Sequence, residues 1–438
     1  MTMTPDTIFD RDTLWQSWLD VEAALARAQA DLGMIPAWAA ADITAAADID
    51  QLGRDALEAD VKRTMAPVLS LTRLLGKAAG KAGDYVHWGA TTQNVMQTGR
   101  LLLLRKADAE IRVHLGRAVV RMGTLAQDHA KTPMAGRTNR QHALPITFGF
   151  KIAGWIEEME RAEARLTDAT TRMLALPFGG AVGAMHAFGA QGRQLNRKLA
   201  ADLGLRELLV PGRTVNDLFA EYFVQLAMLA MTVERIMTEV YTLMTDEIGE
   251  VSELLNKGTV GSSTMPQKVN PKYVVRTISL AAELRCLASP ALEAGRSSHE
   301  GDSAANHLLS SVMDRAVPLA WRMSQSFAET LTRLNPNPAR MAENLSRSKG
   351  AINAENLMMA LAPMTGRAAA HDIVHHVLED GCVADLSTAN DITMHLSADE
   401  ISAALSPALY TGDSEAIAME AAGVARALAM RLNPDAGV

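Results

Sequence analysis

An all-α fold is the first prediction from the sequence, and three observations support it. Apolar residues recur at helical spacing through nearly every long segment, and the alternation expected of half-buried strands is nearly absent. Alanine and methionine are frequent on these apolar stripes, as is typical of packed helices. Long helices of this kind need helical neighbours, supplied either within the chain or by other copies of it.

The predicted helices follow one another along the chain. In the first, the apolar stripe consists of Leu14, Trp18, Val21, Leu25, Ala28 and Leu32. Gly33 comes directly after it and predicts the helix end, because glycine accepts the left-handed conformation found there. Residues 99–130 and 147–173 show the same periodicity. In the latter, the stripe is Phe148, Ile152, Trp155, Met159 and Leu166.

The strongest helical signal is a seam that repeats close to every 3.5 residues. Its members are Phe219, Phe223, Leu226, Ala230, Val233, Met237, Val240, Met244 and Ile248. Helical patterning is interrupted at Ala82–Thr98 and at Asn335–Pro338, where glycine, proline and paired threonines occur. These breaks predict an N-terminal helical domain (1–98), a central domain of long helices (99–338) and a C-terminal helical domain (339–438).

Composition and charge limit the classes of function. The 438 residues are 48% hydrophobic with a net charge of −8. An acidic chain of this kind argues against a nucleic-acid partner, which would require a basic face. No apolar run is long enough to span a membrane, and Met1–Arg11 carries no secretory signal. Cys286 and Cys382 predict buried, reduced thiols, so we expect a cytoplasmic protein.

Three polar segments interrupt the helices and carry groups suited to a dicarboxylate. They are His87–Asn94, Gly136–His142 and Gly261–Pro271. The third, called here the signature loop, holds Ser262 and Lys268 between glycine and proline. Asn270 followed by Pro271 predicts the start of a helix, whose amides and dipole would favour negative charge near Lys268.

This combination of groups suits removal of a proton from the carbon beside a carboxylate. The product is a dianionic aci-carboxylate, which needs preorganised donors. Lys268, Asn270 and the hydroxyls of Thr91 and Thr92 are suitable donors. Ser262 or Ser263 can take the proton only where a cation, loop amides and exclusion of water stabilise the alkoxide.

The three segments resemble, in order, the signature regions of the aspartase/fumarase superfamily. The likeness extends to Phe178–Gly183, Leu361–His371 and Leu405–Gly412 and covers nearly the whole chain. These stretches are most similar to the branch of carboxymuconate cycloisomerases and adenylosuccinate lyases. The resemblance implies a homotetramer with a central bundle of long helices, composite sites built from several subunits, and no metal or organic cofactor.

The resemblance also implies roles for individual residues. Ser262 is implied as the general base. Asn139 and His299 are placed on the side of the leaving group. The implied substrate-binding residues are His87, Thr91, Thr92, Gln93, Thr138, Gln141, Ser263, Met265, Lys268 and Asn270.

Several departures from the familiar branches bear on the substrate. Asn139 stands where adenylosuccinate lyases have histidine, so it can hydrogen-bond but cannot act as an acid. Gly301 and Ser310 stand where those enzymes are expected to have phosphate-binding arginines, which argues against a nucleotide substrate. Gln267 and Val269 match different branches. Arg137, Arg140, Arg213 and Arg296 are candidate anchors for the remote part of a substrate, or salt-bridge partners.

Two motifs are interpreted as structural. His371 and His375 have the i, i+4 spacing of a helical zinc site, but no third ligand is apparent, so we predict a solvated helix face. The glycine-rich Phe178–Gly183 lacks the dinucleotide-binding pattern and follows no predicted strand. His299 is the better candidate for a titrating group, because Glu300 and Asp302 adjoin it.

The sequence therefore predicts a lyase that eliminates an amine, or a related group, from a succinyl-type dicarboxylate to leave fumarate. A carboxymuconate-type cycloisomerisation, which uses the same proton chemistry in reverse, is the first alternative. The second is a structural protein that keeps the fold without catalysis. The intact set of Ser262, Lys268 and Asn270 argues against the second alternative.

Overall fold

The computed structural model describes residues 3–348, 350–380 and 386–433. It is 69% helical with 5% strand, which confirms the predicted all-α fold. The helices are α1 Arg11–Asp31, α2 Ala37–Ala46, α3 Ile49–Leu52, α4 Arg54–Thr64, α5 Pro67–Ala78, α6 Thr92–Asp128, α7 Phe148–Met173, α8 Gly192–Asp202, α9 Asp217–Leu243, α10 Tyr273–Arg285, α11 Ala288–Ala294, α12 Ser303–Arg333, α13 Pro338–Ser346, α14 Ala354–Thr365, α15 Arg367–Asp380, α16 Asn390–Thr393, α17 Ala398–Ala404 and α18 Ser414–Leu432.

Short strands and 3₁₀ turns complete the described part of the chain. The strands are β1 Pro133–Thr138, β2 Gln141–Thr147, β3 Val251–Glu253 and β4 Leu334–Pro336. Strand β1 pairs antiparallel with β2, and β3 pairs antiparallel with β4. The 3₁₀ turns are Gly80–Tyr85, His186–Gln191, Ala351–Asn353 and Pro407–Leu409.

The chain folds into two compact units, each assembled from three stretches of sequence. The first unit comprises Met1–Ile111, Ala162–Met231 and Leu280–Met323. The second comprises Arg112–Arg161, Thr232–Ser279 and Ser324–Val438. These units are discontinuous in sequence, whereas the three predicted domains are consecutive stretches, and that division stays a prediction.

Helix α1 forms as its sequence predicts. Asp10 caps its start by accepting a 2.7 Å hydrogen bond from the backbone N–H of Thr13. Most of the apolar stripe is buried, including Trp18 and Leu25. The helix ends at Asp31, and Gly33 adopts a φ of +67° just beyond it. The predicted glycine stop is confirmed.

The seam on α9 is filled within the chain. Phe219, Leu226, Val233 and Val240 are each no more than 2% exposed. The helix ends at Leu243, so the predicted extension of the seam to Met244 and Ile248 is wrong. Residues 244–249 turn instead, with backbone hydrogen bonds from Ile248 N–H and Gly249 N–H to the Thr245 carbonyl.

Two predicted interruptions differ from the structure in detail. The break at Ala82–Thr98 is shorter than predicted, because α6 already begins at Thr92. The break at Asn335–Pro338 is confirmed, but β4 occupies its first part and Asn337 caps α13 by accepting from the Arg340 N–H at 3.2 Å. Proline at the first helical position suits this start.

Other expectations concern exposure. Cys286 is exposed, so its predicted burial is wrong, and Cys382 lies outside the described residues. His371 and His375 lie on an exposed face of α15, as predicted. In the described ranges, no helix is both long and apolar enough to cross a membrane.

Candidate active site

The signature loop lies in the second unit, between β3 and α10, and closes on itself through backbone bonds. The Asn270 N–H donates to the Gly261 carbonyl at 3.3 Å, and the Lys268 N–H donates to the Met265 carbonyl at 3.0 Å. A Cβ at Gly261 would lie 2.6 Å from the Lys268 carbonyl oxygen. Only glycine permits that approach, so this glycine is required by the closure of the loop.

Ser262 is held at the turn of this loop by two backbone amides. Its Oγ accepts from the Met265 N–H at 3.1 Å and from the Thr264 N–H at 3.4 Å. Donors directed at a hydroxyl oxygen favour its negatively charged form, because they stabilise an alkoxide more than a neutral hydroxyl. The loop therefore supplies part of what a serine base requires.

The remaining predicted residues of the loop project to the surface. Ser263, Met265 and Lys268 are exposed, and Asn270 is partly buried. The Ser263 hydroxyl lies 3.5 Å from that of Thr264. Within the described ranges Lys268 forms no ion pair, so its ammonium is available to an anionic ligand.

The helix after the loop begins later than predicted and is capped by a residue far back in the sequence. Helix α10 starts at Tyr273, so Asn270 and Pro271 are not its N-cap and first residue. Glu253 of β3 accepts from the backbone N–H groups of Lys272 and Val274 at 2.7 and 2.6 Å, and from that of Tyr273. A protein carboxylate thus supplies the negative charge that the sequence predicts to be favourable at this helix start.

We expect Glu253→Ala to destabilise the protein by about 1–2 kcal/mol, because three helix-start amides lose a charged acceptor. Chemical unfolding at fixed protein concentration measures the loss, and limited proteolysis of residues 254–271 reports on the loop. Glu283→Ala is the matched control, since Glu283 is an exposed glutamate on α10, the helix that Glu253 caps. Equal stability of the two variants would contradict the capping role.

The second polar segment is a β-hairpin, not the predicted loop. Asn139 and Arg140 form its turn with φ of +49° and +65°, and Thr138 pairs with Gln141. Two consecutive left-handed residues are typical of a type I′ turn, in which asparagine is preferred at the first position. The conformation of the turn therefore favours asparagine at position 139, independently of any contact with a substrate.

Arg137 connects this hairpin to Glu250, the residue directly before strand β3. Its guanidinium donates to both oxygens of Glu250, at 2.9 and 2.7 Å. The Glu250 side chain is fully buried and also accepts from the Asn344 amide at 2.9 Å. Arg137 is therefore a salt-bridge partner, and the interpretation as a substrate anchor is not needed to explain it.

His142 lies opposite Arg137 in the hairpin, and its pKa is lowered. Partial burial is the main cause of the lowered pKa, and the positive charge of Arg137 adds to it. Burial also lowers the pKa of His129, in the same unit. The fold therefore disfavours the charged form of both histidines.

We expect the free energy of unfolding to fall as the pH is lowered through about 6.5, the ordinary histidine pKa. The unfolded chain takes up protons there that folded His129 and His142 resist. His142→Gln should flatten this pH dependence, as measured by urea unfolding on either side of that pH. His129→Asn should flatten it independently. If the pH dependence of the free energy of unfolding is unchanged in both variants, the prediction is contradicted.

In the first unit, His87 is held by a buried carboxylate. Its Nδ1 lies 2.6 Å from Glu22 Oε1, and the Glu22 side chain is 1% exposed. A carboxylate only accepts, so Nδ1 carries the proton and Nε2 is left for a ligand. Gln29 fixes the next residue by donating to the Trp88 carbonyl at 2.8 Å.

The residues after His87 form the start of α6. The Thr91 carbonyl accepts from the Asn94 N–H at 3.0 Å, while Thr92 and Gln93 lie in the first turn. Asn94 is buried and bridges to the glycine-rich segment, donating to the Pro177 carbonyl and accepting from the Gly180 N–H at 2.9 Å. These bonds fix the backbone that carries the two threonines.

His299 is exposed and has a strained φ of +50°. Asp302, three residues further along, has hydrogen-bond partners of its own. It accepts from Ser298 and from the Ala304 and Ala305 N–H groups at the start of α12, and these bonds lower its pKa. These bonds explain the position of Asp302 without His299, and the candidacy of His299 stays a prediction.

A buried network joins the His299 loop to α6 within the first unit. Asn216 donates to Ser297 Oγ at 2.9 Å and to Asn306 Oδ1 at 3.0 Å, and accepts from Gln97 at 3.2 Å. Gln97 in turn accepts from Gln93 at 3.4 Å. His87, Thr91, Thr92, Gln93 and His299 are therefore positioned by one unit.

A lyase family pattern matches residues 3–283 of the chain. The chain is a member of the aspartase/fumarase superfamily of lyases. The predicted resemblance is thereby confirmed, and so is the assignment to an enzyme superfamily.

Relatives in this superfamily span several reactions. The chain is 35% identical to a 3-carboxy-cis,cis-muconate cycloisomerase of Pseudomonas aeruginosa, over 97% of this chain and 95% of the relative. It is 32% identical to an N-acetyl-S-(2-succino)cysteine lyase of Dickeya dadantii, over 90% and 88%. A crystal structure of a fumarate lyase from Mesorhizobium sp. BNC1 superposes with a TM-score of 0.88 at 34% identity, covering 96% of this chain and 97% of that one.

In this superfamily member the predicted site residues fall into two groups. The second unit holds the hairpin residues Thr138, Asn139 and Gln141 and those of the signature loop; the first holds the remainder. Sequence reasoning missed the residues that support them, namely Glu22, Asn216, Glu250 and Glu253. Each acts on residues distant in sequence, so no local pattern marks it.

Proposed function

We propose that this enzyme catalyses β-elimination from a succinyl-type dicarboxylate to give fumarate, with Ser262 as the base. The pair of backbone amides directed at Ser262 Oγ is the observation that carries the proposal. Such donors favour an alkoxide before the substrate arrives, so the barrier to proton removal is lowered. The electrons of the broken C–H bond pass into the carboxylate, and the aci-carboxylate then expels the leaving group.

In this proposal different polar groups stabilise different parts of the dianionic intermediate. Lys268, with no ion pair in the described part of the chain, supplies the neutralising charge. Asn270, Thr91, Thr92 and Thr138 donate hydrogen bonds to the carboxylates. His87, Gln93, Gln141, Ser263 and Met265 contact the remaining surface of the substrate.

An amine is the favoured leaving group, and Thr138, Asn139 or His299 contacts it. Asn139 cannot supply a proton, so an amine that leaves easily fits the chemistry best. The Dickeya relative's name specifies a thioether of succinate, and related leaving groups therefore belong to the same proposal. We further propose a cytoplasmic homotetramer with sites composed of segments from several copies, working without metal or organic cofactor.

Cycloisomerisation of a carboxymuconate is the second candidate. The relative of that name from Pseudomonas aeruginosa, 35% identical over nearly the full length, favours it. In that reaction the proton transfer at Ser262 would run in the opposite direction, on a substrate that forms a ring.

Incubation with fumarate and a panel of amines, amino acids and thiols tests the proposal. Consumption of fumarate with one nucleophile supports elimination and names the substrate class. Lactone formation from 3-carboxy-cis,cis-muconate without fumarate consumption supports the cycloisomerase instead. Absence of both reactions favours a structural protein of the same fold.

A further inference from the structure

Arg213 has no carboxylate partner among the residues that the structure describes. Two other candidate anchors have carboxylate partners, Arg137 with Glu250 and Arg296 with Glu293. In the described ranges Arg213 forms no ion pair, and its one hydrogen bond is a long 3.4 Å contact to the Ala181 carbonyl. Its Nε is buried without an acceptor. A partly buried guanidinium with unmet donors is costly unless an anion accompanies it.

The guanidinium lies directly over Gly301. A Cβ at Gly301 would lie 3.1 Å from Arg213 Cζ and 3.3 Å from its Nη1. The absence of a side chain at position 301 therefore makes room for the arginine from another loop. His299, a predicted site residue, is two positions before Gly301 on the same loop.

The other side of Arg213 faces the glycine-rich segment Phe178–Gly183. Ala181 of that segment accepts the long hydrogen bond, and the neighbouring Gly180 N–H donates to Asn94 at 2.9 Å. Arg213 is thus placed between the segment that supports His87–Asn94 and the loop that carries His299, all within the first unit.

We infer that Arg213 binds a carboxylate on the part of the substrate that leaves, separate from the two carboxylates of the succinyl unit. The inference rests on the proposed function for the identity of that substrate. Gly301 and the glycine-rich segment hold the guanidinium in place, and its terminal nitrogens provide paired donors for a carboxylate. The substrate class is then a succinyl compound with an additional acidic group.

Calorimetric binding of two unreactive probes tests this assignment. Succinate carries the two carboxylates of the succinyl unit, and propane-1,2,3-tricarboxylate adds a third. We expect the unmodified enzyme to bind the tricarboxylate at least about tenfold more tightly than succinate. Arg213→Gln should remove that preference and leave the affinity for succinate unchanged.

Two further variants make the test specific. Gly301→Ala should displace the guanidinium and so also remove the preference for the tricarboxylate. Thermal unfolding checks that each variant is folded. Arg296→Gln is the control, since Arg296 is exposed and paired on the same loop, and should keep the preference. A preference that persists in Arg213→Gln, or is absent from the unmodified enzyme, overturns the inference. So does failure of the tricarboxylate to bind to the unmodified enzyme.

The outcomes separate this inference from the proposed function. Fumarate consumption with an amine, together with no tricarboxylate preference, retains the elimination and overturns the role of Arg213. A preference that depends on Arg213, together with no fumarate consumption, retains the anion site and overturns the elimination.

Discussion

Replacing Ser262 with alanine is expected to lower turnover by about 10²–10⁴-fold, the usual contribution of a positioned general base. The variant removes the oxygen to which the Met265 and Thr264 amides are directed, and leaves Lys268 and Asn270 in place. The loss should therefore appear in kcat, while the affinity for succinate changes little. Steady-state kinetics with the nucleophile identified by the fumarate panel, and calorimetry with succinate, measure the two quantities.

Ser263→Ala provides the matched control. Ser263 is the adjacent serine, and its hydroxyl makes a single 3.5 Å contact to the Thr264 hydroxyl. We expect this variant to keep turnover within about tenfold of the unmodified enzyme. Ordinary turnover in Ser262→Ala, or equal losses in both variants, would remove Ser262 from the role of base.

The largest effect on stability is expected from Arg137→Ala, at about 3–5 kcal/mol. The substitution leaves the fully buried Glu250 carboxylate with the Asn344 amide but without its cation. Burying an uncompensated charge costs far more than the pair itself contributes. Urea unfolding at fixed protein concentration measures the change in free energy.

Arg296→Ala is the control for this stability prediction, because its pairing with Glu293 is highly exposed. An exposed pair contributes about 0–1 kcal/mol. A double variant, Arg137→Ala with Glu250→Ala, should recover part of the loss, since the unpaired carboxylate is then removed. A loss for Arg137→Ala no larger than that for Arg296→Ala would show that the buried pair is not important for stability.

The long helices could be predicted because their signal is local. Apolar spacing along α1 and α9 determines which faces are buried, and those faces are buried in the structure. The hairpin at 133–147 was not predicted because its local sequence carries no clear strand or turn signal. Its strands show no regular alternation of buried and exposed residues, and its turn uses Asn139 and Arg140 at positive φ instead of the glycine that usually marks such a turn.

The supporting contacts of the candidate site depend on pairings that sequence spacing does not reveal. His87 and Glu22 are 65 positions apart, and Arg137 and Glu250 are 113 apart. The prediction of a helix start at Asn270 followed sound local rules, yet Glu253 supplied the cap from a strand. Residue type and motif indicated which segments carry chemistry, whereas the partners of those segments required the fold.

The closed backbone of the signature loop has a consequence for how new specificities can arise on this scaffold. Its shape is set by main-chain bonds from Asn270 to Gly261 and from Lys268 to Met265. The side chains of Gln267 and Val269 are exposed and take no part in those bonds. Mutation can therefore change these two positions while the backbone of the loop keeps its shape and the serine stays in place.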